Sequence, residues 1–270
     1  MKKQLLALAG VVLLFTACSK TNTPLQAGFT TSSGLLKGFY SETDTSRIEY
    51  NNDQTVSKVT YGWVDGRDVG GGIDTMKYAN GVLSEVWQSD YDESKIFSPS
   101  ALNLQLVYAN NRLQKIVHLK YPAYDSARYN ANGKIEKVFT YRGLPGAWQL
   151  GETDSLVWTG NNVTQVIYKK YSLHNGVESV YATYTDTYTF DSKPNWQAPL
   201  GFGTISDRLV PEAMNANNIL TATRTEAGQP VLTNSYIYEY NAQNKVTKST
   251  ATYQFVRVPG TEVTVFEYYQ

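Results

Sequence analysis

Tyr129-Asn130-Ala131-Asn132-Gly133-Lys134-Ile135-Glu136-Lys137-Val138 is the stretch that decides the fold: an aromatic, a short polar turn, then two aliphatics three residues apart. The same pattern recurs as Tyr50 with Val56 and Val59, Tyr78 with Leu83 and Val86, Tyr108 with Leu113 and Ile116, and Trp158 with Val163 and Val166. A degenerate last copy joins Tyr240 to Val246 and puts Ser249 in the second aliphatic position. A unit repeated in this way is one supersecondary element multiplied. Its turns have hairpin chemistry. Asn80-Gly81 accepts the positive φ of a two-residue type I′ loop and predicts that Tyr78 pairs with Leu83; Asn110-Asn111 and Gly160-Asn161 fill the same slot. In the longer copies, a type I turn closed by a left-handed Gly133 or Asn244 predicts a three-residue loop. Gln54 takes that place in the first copy and is the poorest left-handed residue of the set.

Working outward, Asp74-Thr75, Asp125-Ser126, Asp154-Ser155 and Asp186-Thr187 stand shortly before Tyr78, Tyr129, Trp158 and Phe190, and read as strand beginnings. Asp65-Gly66 and Asn175-Gly176 supply two more tight turns. Together these signals predict an all-β chain: an antiparallel meander of about fifteen strands, curled or barrel-like, with neighbouring strands joined as hairpins. From Val180 to Phe190 the even positions are mostly apolar or aromatic and the odd positions from 183 to 189 are all Thr. One face is therefore dry and the other wet. A lipid-spanning barrel needs an outward apolar band about 25 Å tall, which Thr and Lys faces do not supply, so the sheet is expected to be porin-like but soluble. Asp191-Ser192-Lys193-Pro194-Asn195-Trp196 turns the chain sharply, and the segment as far as Met214 reads as a crossover with at most one short helix.

The first residues carry an address. Lys2 and Lys3 precede an apolar run from Leu5 to Phe15, too short to cross a membrane as a helix, which marks residues 1–17 as a signal peptide. Phe15-Thr16-Ala17-Cys18 resembles the lipobox of bacterial lipoproteins, with Phe15 where Leu is usual. That resemblance implies cleavage before Cys18 and acylation there, giving a membrane partner through a lipid anchor. Ser19, where such lipoproteins carry Asp for inner-membrane retention, implies the outer membrane. The lack of an acidic cluster after it implies the periplasmic face. Residues 18–33 are polar and read as a flexible tether, leaving 34–270 as a single antiparallel β domain.

The tandem hairpins, the Asp191-Ser192-Lys193-Pro194-Asn195 turn, the crossover and Asn217-Asn218-Ile219, taken with the lipobox, resemble an uncharacterised Bacteroidota lipoprotein family, a domain of unknown function with a porin-like fold. Single hairpins also resemble the tyrosine-aspartate repeats of Rhs shells, with Asn at positions 130 and 241 in place of Asp. The resemblance implies a curled or barrel-like sheet and carries over no functional residue.

Composition excludes much chemistry. Lys+Arg and Asp+Glu are equal at 24 each, so no global charge draws the chain to nucleic acid. One Cys and two His offer no metal or haem ligand set and no disulfide, so no cofactor is expected. Paired carboxylates for glycoside hydrolysis are sought at Asp90, Asp92 and Glu93 and at Glu152 with Asp154, two apart on one strand face; a solvated loop or edge is the ordinary reading. His118 and His174 have no nucleophile elbow nearby, and Gly70-Gly71-Gly72 lacks a following helix and reads as a flexible loop. Trp158 fills a repeat position and belongs to the core, whereas Trp148 and Trp196 sit in expected loops where a ring can stack on a sugar. Thr75, Ser126 and Ser155 lie in Asp-Ser/Thr-aliphatic triplets that resemble the O-glycosylation sequon of Bacteroidota envelopes. These readings point to an outer-membrane lipoprotein that is not an enzyme and binds or scaffolds an envelope component, a glycan or an envelope protein. A glycan-binding accessory role and glycoside hydrolysis are the alternatives.

Overall fold

The structure is a computed structural model that describes residues 34–66, 68–174, 177–201, 209–255 and 259–270. The expected signal peptide (residues 1–17), Cys18 and the expected tether lie outside the described residues, as does the expected Asn175-Gly176 turn. In chain order, the first eight strands are β1 (Leu36–Tyr40), β2 (Asp44–Tyr50), β3 (Val56–Asp65), β4 (Asp68–Ala79), β5 (Val82–Tyr91), β6 (Ala101–Ala109), β7 (Arg112–His118) and β8 (Ala123–Tyr129). The next are β9 (Ile135–Arg142), β10 (Gln149–Thr159), β11 (Asn162–His174), β12 (Val177–Pro194), β13 (Asn217–Glu226), β14 (Leu232–Tyr240), β15 (Val246–Tyr253) and β16 (Gly260–Tyr268). All neighbours run antiparallel, and β16 pairs with β1, so the meander closes into a barrel of sixteen strands. Closure removes both sheet edges.

The hairpin turns form as their residues dictate. Asn80 and Gly81 have φ of 52° and 76°, and Asn110 and Asn111 have 52° and 58°. Gly160 alone is positive in its turn, at 56°, the signature of a type II′ loop. Gly133, Asn244 and Gln54 all adopt the left-handed conformation, at 77°, 59° and 67°. Asn130 and Asn241 brace their turns identically, each side-chain carbonyl accepting two backbone N–H groups further along the loop.

Residues three apart on a strand should face opposite ways, yet the two aliphatics of each unit are both inward. A β-bulge resolves the conflict. Tyr129 pairs with Ile135 but Arg128 pairs with Lys137, so Glu136 is an extra residue that returns Val138 to the inner face. Ser57, Ser84, Gln114, Thr164 and Thr247 are skipped in the same way. Two further units appear that the turn chemistry had not shown. Phe190 pairs with Ile219 with Leu220 skipped, and Tyr268 pairs with Leu36 with Lys37 skipped. The last unit is split between the two ends of the described chain.

The unit aromatics form a girdle at the hairpin end of the barrel. Tyr50, Tyr78, Tyr129, Trp158 and Tyr268 donate side-chain hydrogen bonds of 2.6–2.9 Å to the backbone carbonyls of Leu36, Val56, Leu113, Ile135 and Val246. Each acceptor is the first aliphatic of the preceding unit, so every bond ties one hairpin to the next. Ile48, Ile116, Ile135 and Val163 are fully buried beneath the girdle.

Several expectations are corrected. The Asp-Ser/Thr pairs lie inside strands rather than at their beginnings, with the Asp on the inner face and the hydroxyl residue on the outer face. Gly70-Gly71-Gly72 is not a loop but part of β4, opposite Trp63, Gly62 and Tyr61. The glycines make room for rings: a Cβ at Gly70 would strike Trp63, and one at Gly72 would strike Tyr61. The segment between β12 and β13 is not a crossover, because those strands are neighbours. Its described residues fold inward instead. Among them a 3-10 turn (Ala198–Leu200) and one helical turn, α1 (Pro211–Met214), are the regular parts. Leu200 packs with residues of β1–β4, Met214 packs with the core of β5–β13, and Asn195 Nδ2 donates to Asn215 O at 2.9 Å. The segment plugs the hairpin end.

Candidate functional site

With the plug in one mouth, the lining of the lumen changes from aliphatic to polar along the strands toward the opposite end. Asp74, Asp125, Asp154 and Asp186 reach this polar level from β4, β8, β10 and β12. Alternation about an inward aliphatic places them there, each four residues before the aromatic of its unit: Tyr78, Tyr129, Trp158 and Phe190. Asp125 and Asp186 are 2% and 3% exposed and have built partners. Thr140 Oγ1 donates to Asp125 at 2.6 Å, and His118 Nε2 lies 3.4 Å from it. Arg224 donates both Nε and a terminal nitrogen to Asp186, at 2.8 and 2.7 Å. The same guanidinium lies 4.2 Å from the centroid of the Tyr184 ring, which itself stacks on Tyr168 at 4.6 Å. Burial pushes the Tyr184 hydroxyl up to about 12 and raises those of Tyr168 and Tyr188 further. Glu212, on α1, has its carboxyl raised by burial, with the charge of Asp186 adding to the effect.

A cavity of about 310 Å³ lies beside this cluster, between the plug and the wall formed by β14–β16 and β1–β2. Trp196 stands in it, edge-on to Phe266 at 4.8 Å and to Phe39 at 5.3 Å. A second cavity, of about 450 Å³, separates the plug from the hairpin turns, with Lys134 and Trp158 on its wall.

The residues singled out from sequence do not converge. Trp196 is not in an exposed loop but inside the barrel, held by its plug. Trp148 is outside it, edge-on to Tyr124 at 4.9 Å, where Tyr124 stacks on Tyr141 and carries Lys115 Nζ 3.5 Å from its ring centroid. The barrel wall separates the two tryptophans. Asp90 faces the lumen and pairs with Lys120 and Tyr61, while Asp92 caps an exposed turn through Ser94. Glu152 and Asp154 do share the inner face, in register with Lys170 and Tyr168. His118 is buried, with its Nδ1 3.0 Å from Tyr121 Oη; the side chain of His174 lies outside the described residues. Thr75, Ser126 and Ser155 present hydroxyls on the outer wall, mid-strand and half-buried by neighbours. The lumen carboxylates Asp44, Glu212 and Glu262 escaped sequence reasoning. The one available signal was the run Tyr236, Tyr238, Tyr240, whose period of two marks a ring-lined inner face.

The outer wall is mixed, with Val107, Val157, Ile237, Val263 and Val265 exposed on it among polar and charged residues. Arg47, Lys58, Lys115, Lys137, Lys169 and Lys248 occupy outward registers, between Thr-rich rows on β12, β13 and β15. The apolar side chains that fill the barrel are inside.

Fold and site thus define an up-and-down barrel with an internal plug, dry at one end of its lumen and acidic and aromatic at the other. It is similar to a porin-like protein from Bacteroides uniformis, with a TM-score of 0.53 and 11% identity over 87% of this chain and 96% of that one. A porin-like protein from Bacteroides vulgatus aligns over 88% of this chain with a TM-score of 0.47 and 10% identity. No family model matches the chain, and no curated protein is similar to it in sequence.

Proposed function

We propose that this chain is an outer-membrane lipoprotein of the Bacteroidota type, tethered through acylated Cys18 and facing the periplasm, and that its barrel is a non-catalytic binding module. The observation that carries this reading is the set of cations spread over the outer wall. A charged Arg or Lys at the bilayer midplane costs a membrane barrel about 2–4 kcal/mol, and this barrel directs Arg47, Lys58, Lys115, Lys137, Lys169 and Lys248 outward. A wall of that kind belongs in water and leaves attachment to lipid on the tether. The plug argues against a conduit, and the two most buried inner carboxylates, Asp125 and Asp186, are committed to His118, Thr140 and Arg224 rather than poised for proton transfer. What remains is a walled, water-facing compartment suited to a ligand.

Metabolic labelling with palmitate tests the anchor: label that follows the wild-type protein and is lost from Cys18→Ala supports it, and label retained by the variant overturns it. Conductance across a planar bilayer tests the barrel, where pore formation by the purified mature protein would sink the water-facing reading. A second reading, glycan binding from outside, keeps Trp148 with Tyr124 and Tyr141 as an aromatic patch on the outer wall. A glycan array repeated with Trp148→Ala separates the two, because the lumen is untouched by that change.

A further inference from the structure

The 310 Å³ cavity is lined by two kinds of group that attract the same chemistry. Three carboxylates reach it: Glu212 from the plug, Asp44 from β2 and Glu262 from β16. Aromatic rings supply its panels, with Trp196 on the plug side and Tyr236 and Tyr253 on the wall, the latter two at 82° to each other with centroids 6.2 Å apart. Perpendicular rings form the corner of a cage. Among the described residues lining the cavity there is no Lys, Arg or His. Thr43 Oγ1 links the rim carboxylates, 2.8 Å from Asp44 and 3.4 Å from Glu262, which holds two negative charges side by side at the mouth. Elsewhere in the lumen Asp186 faces Arg224 and Asp90 faces Lys120. The contrast is local. A small volume with acidic walls and ring faces but no built-in cation is complementary to a cation brought from outside.

We propose that this cavity is a binding site for a small organic ammonium ion, its charge met by Glu262 and Asp44 and its alkyl groups by Trp196, Tyr236 and Tyr253. The proposal rests on the reading of the barrel as a binding module and adds the ligand class. A metal ion is less suited, because ring faces contribute no oxygen ligands and the described residues hold no cluster of metal-binding side chains. A quaternary or primary amine of up to about ten heavy atoms fits the volume, the scale on which cation–π contacts act.

The test is calorimetric titration of the full mature protein with choline and with 3,3-dimethylbutan-1-ol, its neutral isostere. Saturable choline binding with the isostere at least about tenfold weaker supports the proposal, the ratio corresponding to a desolvated cation–π contribution of roughly 1.4 kcal/mol or more. Glu262→Gln and Asp44→Asn, checked for unchanged circular dichroism, are each expected to weaken choline several-fold and leave the isostere unaffected. Equal affinity for the two probes, choline affinity indifferent to both carboxylate variants, or no choline binding at tens of millimolar would each overturn it. Saturable binding of N-acetylglucosamine without choline binding would also overturn it, while leaving the binding-module reading intact; pore formation would remove that reading separately.

Discussion

Tyr268 pairs in register with Leu36, more than two hundred residues away, and thereby completes a unit whose aromatic lies in the last strand and whose two inward apolar residues, Leu36 and Phe39, lie in the first. The barrel is thus closed by the same motif that builds it. Phe266, 5% exposed on the closing strand, packs on Phe39 and Trp196. Phe266→Ala should cost about 3–5 kcal/mol in urea-induced unfolding, the usual loss for a buried aromatic. A loss below about 1 kcal/mol would show that closure contributes little.

The bulges predict an asymmetry between deletion and insertion. Gln114 is the skipped residue of its unit. Deleting it removes the bulge and leaves Leu113 and Ile116 two apart, both still inward, so the deletion variant should stay soluble and unfold cooperatively; inserting one further residue after it should turn Lys115 inward and Ile116 outward, because side chains alternate with a period of two. A deletion variant that fails to fold, or an insertion variant as stable as wild type, would contradict this. Gln114→Ala, which keeps the count, should change stability by no more than about 0.5 kcal/mol.

Gln54 holds a φ of 67° with an ordinary side chain, whereas Gly133 and Asn244 occupy the equivalent position elsewhere. The left-handed conformation costs a non-glycine L-residue roughly 1–2 kcal/mol, and Asn meets part of that through local hydrogen bonding. Gln54→Gly should therefore stabilise the protein by about 0.5–1 kcal/mol in chemical denaturation, net of the added freedom of the unfolded chain. No gain in midpoint would remove the strain argument for this turn.

Asp186 depends on Arg224. With the carboxylate 4% exposed and the guanidinium 30% exposed, the pair is buried on one side only. Removing the cation strands the charge, so Arg224→Leu should destabilise by about 3 kcal/mol, the low end of the range for breaking a buried pair. The double variant Arg224→Leu with Asp186→Leu should recover much of that loss. A thermodynamic cycle showing no coupling between the two sites would contradict the pairing.

Glu212 makes stability depend on pH in a direction opposite to that of most carboxylates. Its carboxyl is raised above the ordinary 4.5 by burial, so the native state holds the proton where the unfolded chain has released it. The stability it contributes is fully present below 4.5 and is lost as pH rises through the raised value. Glu212→Gln should therefore melt higher than wild type at neutral pH, with the two converging toward pH 4. Scanning calorimetry across that window checks the sign, and a variant that melts lower at pH 7 would reverse it.

Much of this was legible along the chain. The positive φ at Asn80, Asn110, Gly133 and Asn244, the pairing of Tyr78 with Leu83, and the dry and wet faces of β12 all follow from local steric preference and from a period of two, which neighbouring residues settle among themselves. The plug lies where Lys193-Pro194-Asn195 breaks the strand, and that too was visible as a break, though its direction was not.

By itself, then, the amino-acid order determined an antiparallel meander of polar-turn hairpins with one wetted face. Tertiary structure alone decided that the faces curl so the dry side is enclosed, that Leu36 meets Tyr268, that the break at Pro194 folds inward as a plug, and that Trp148 and Trp196 end on opposite sides of one wall. It also decided which strand-borne acids meet a cation, as Asp186 does, and which converge with rings, as Glu212 and Glu262 do. The reason is one of range: turn geometry and alternation are set within a few residues, whereas closure, burial and charge pairing depend on contacts between segments far apart in sequence, whose loop-closure cost is offset only when the whole barrel forms.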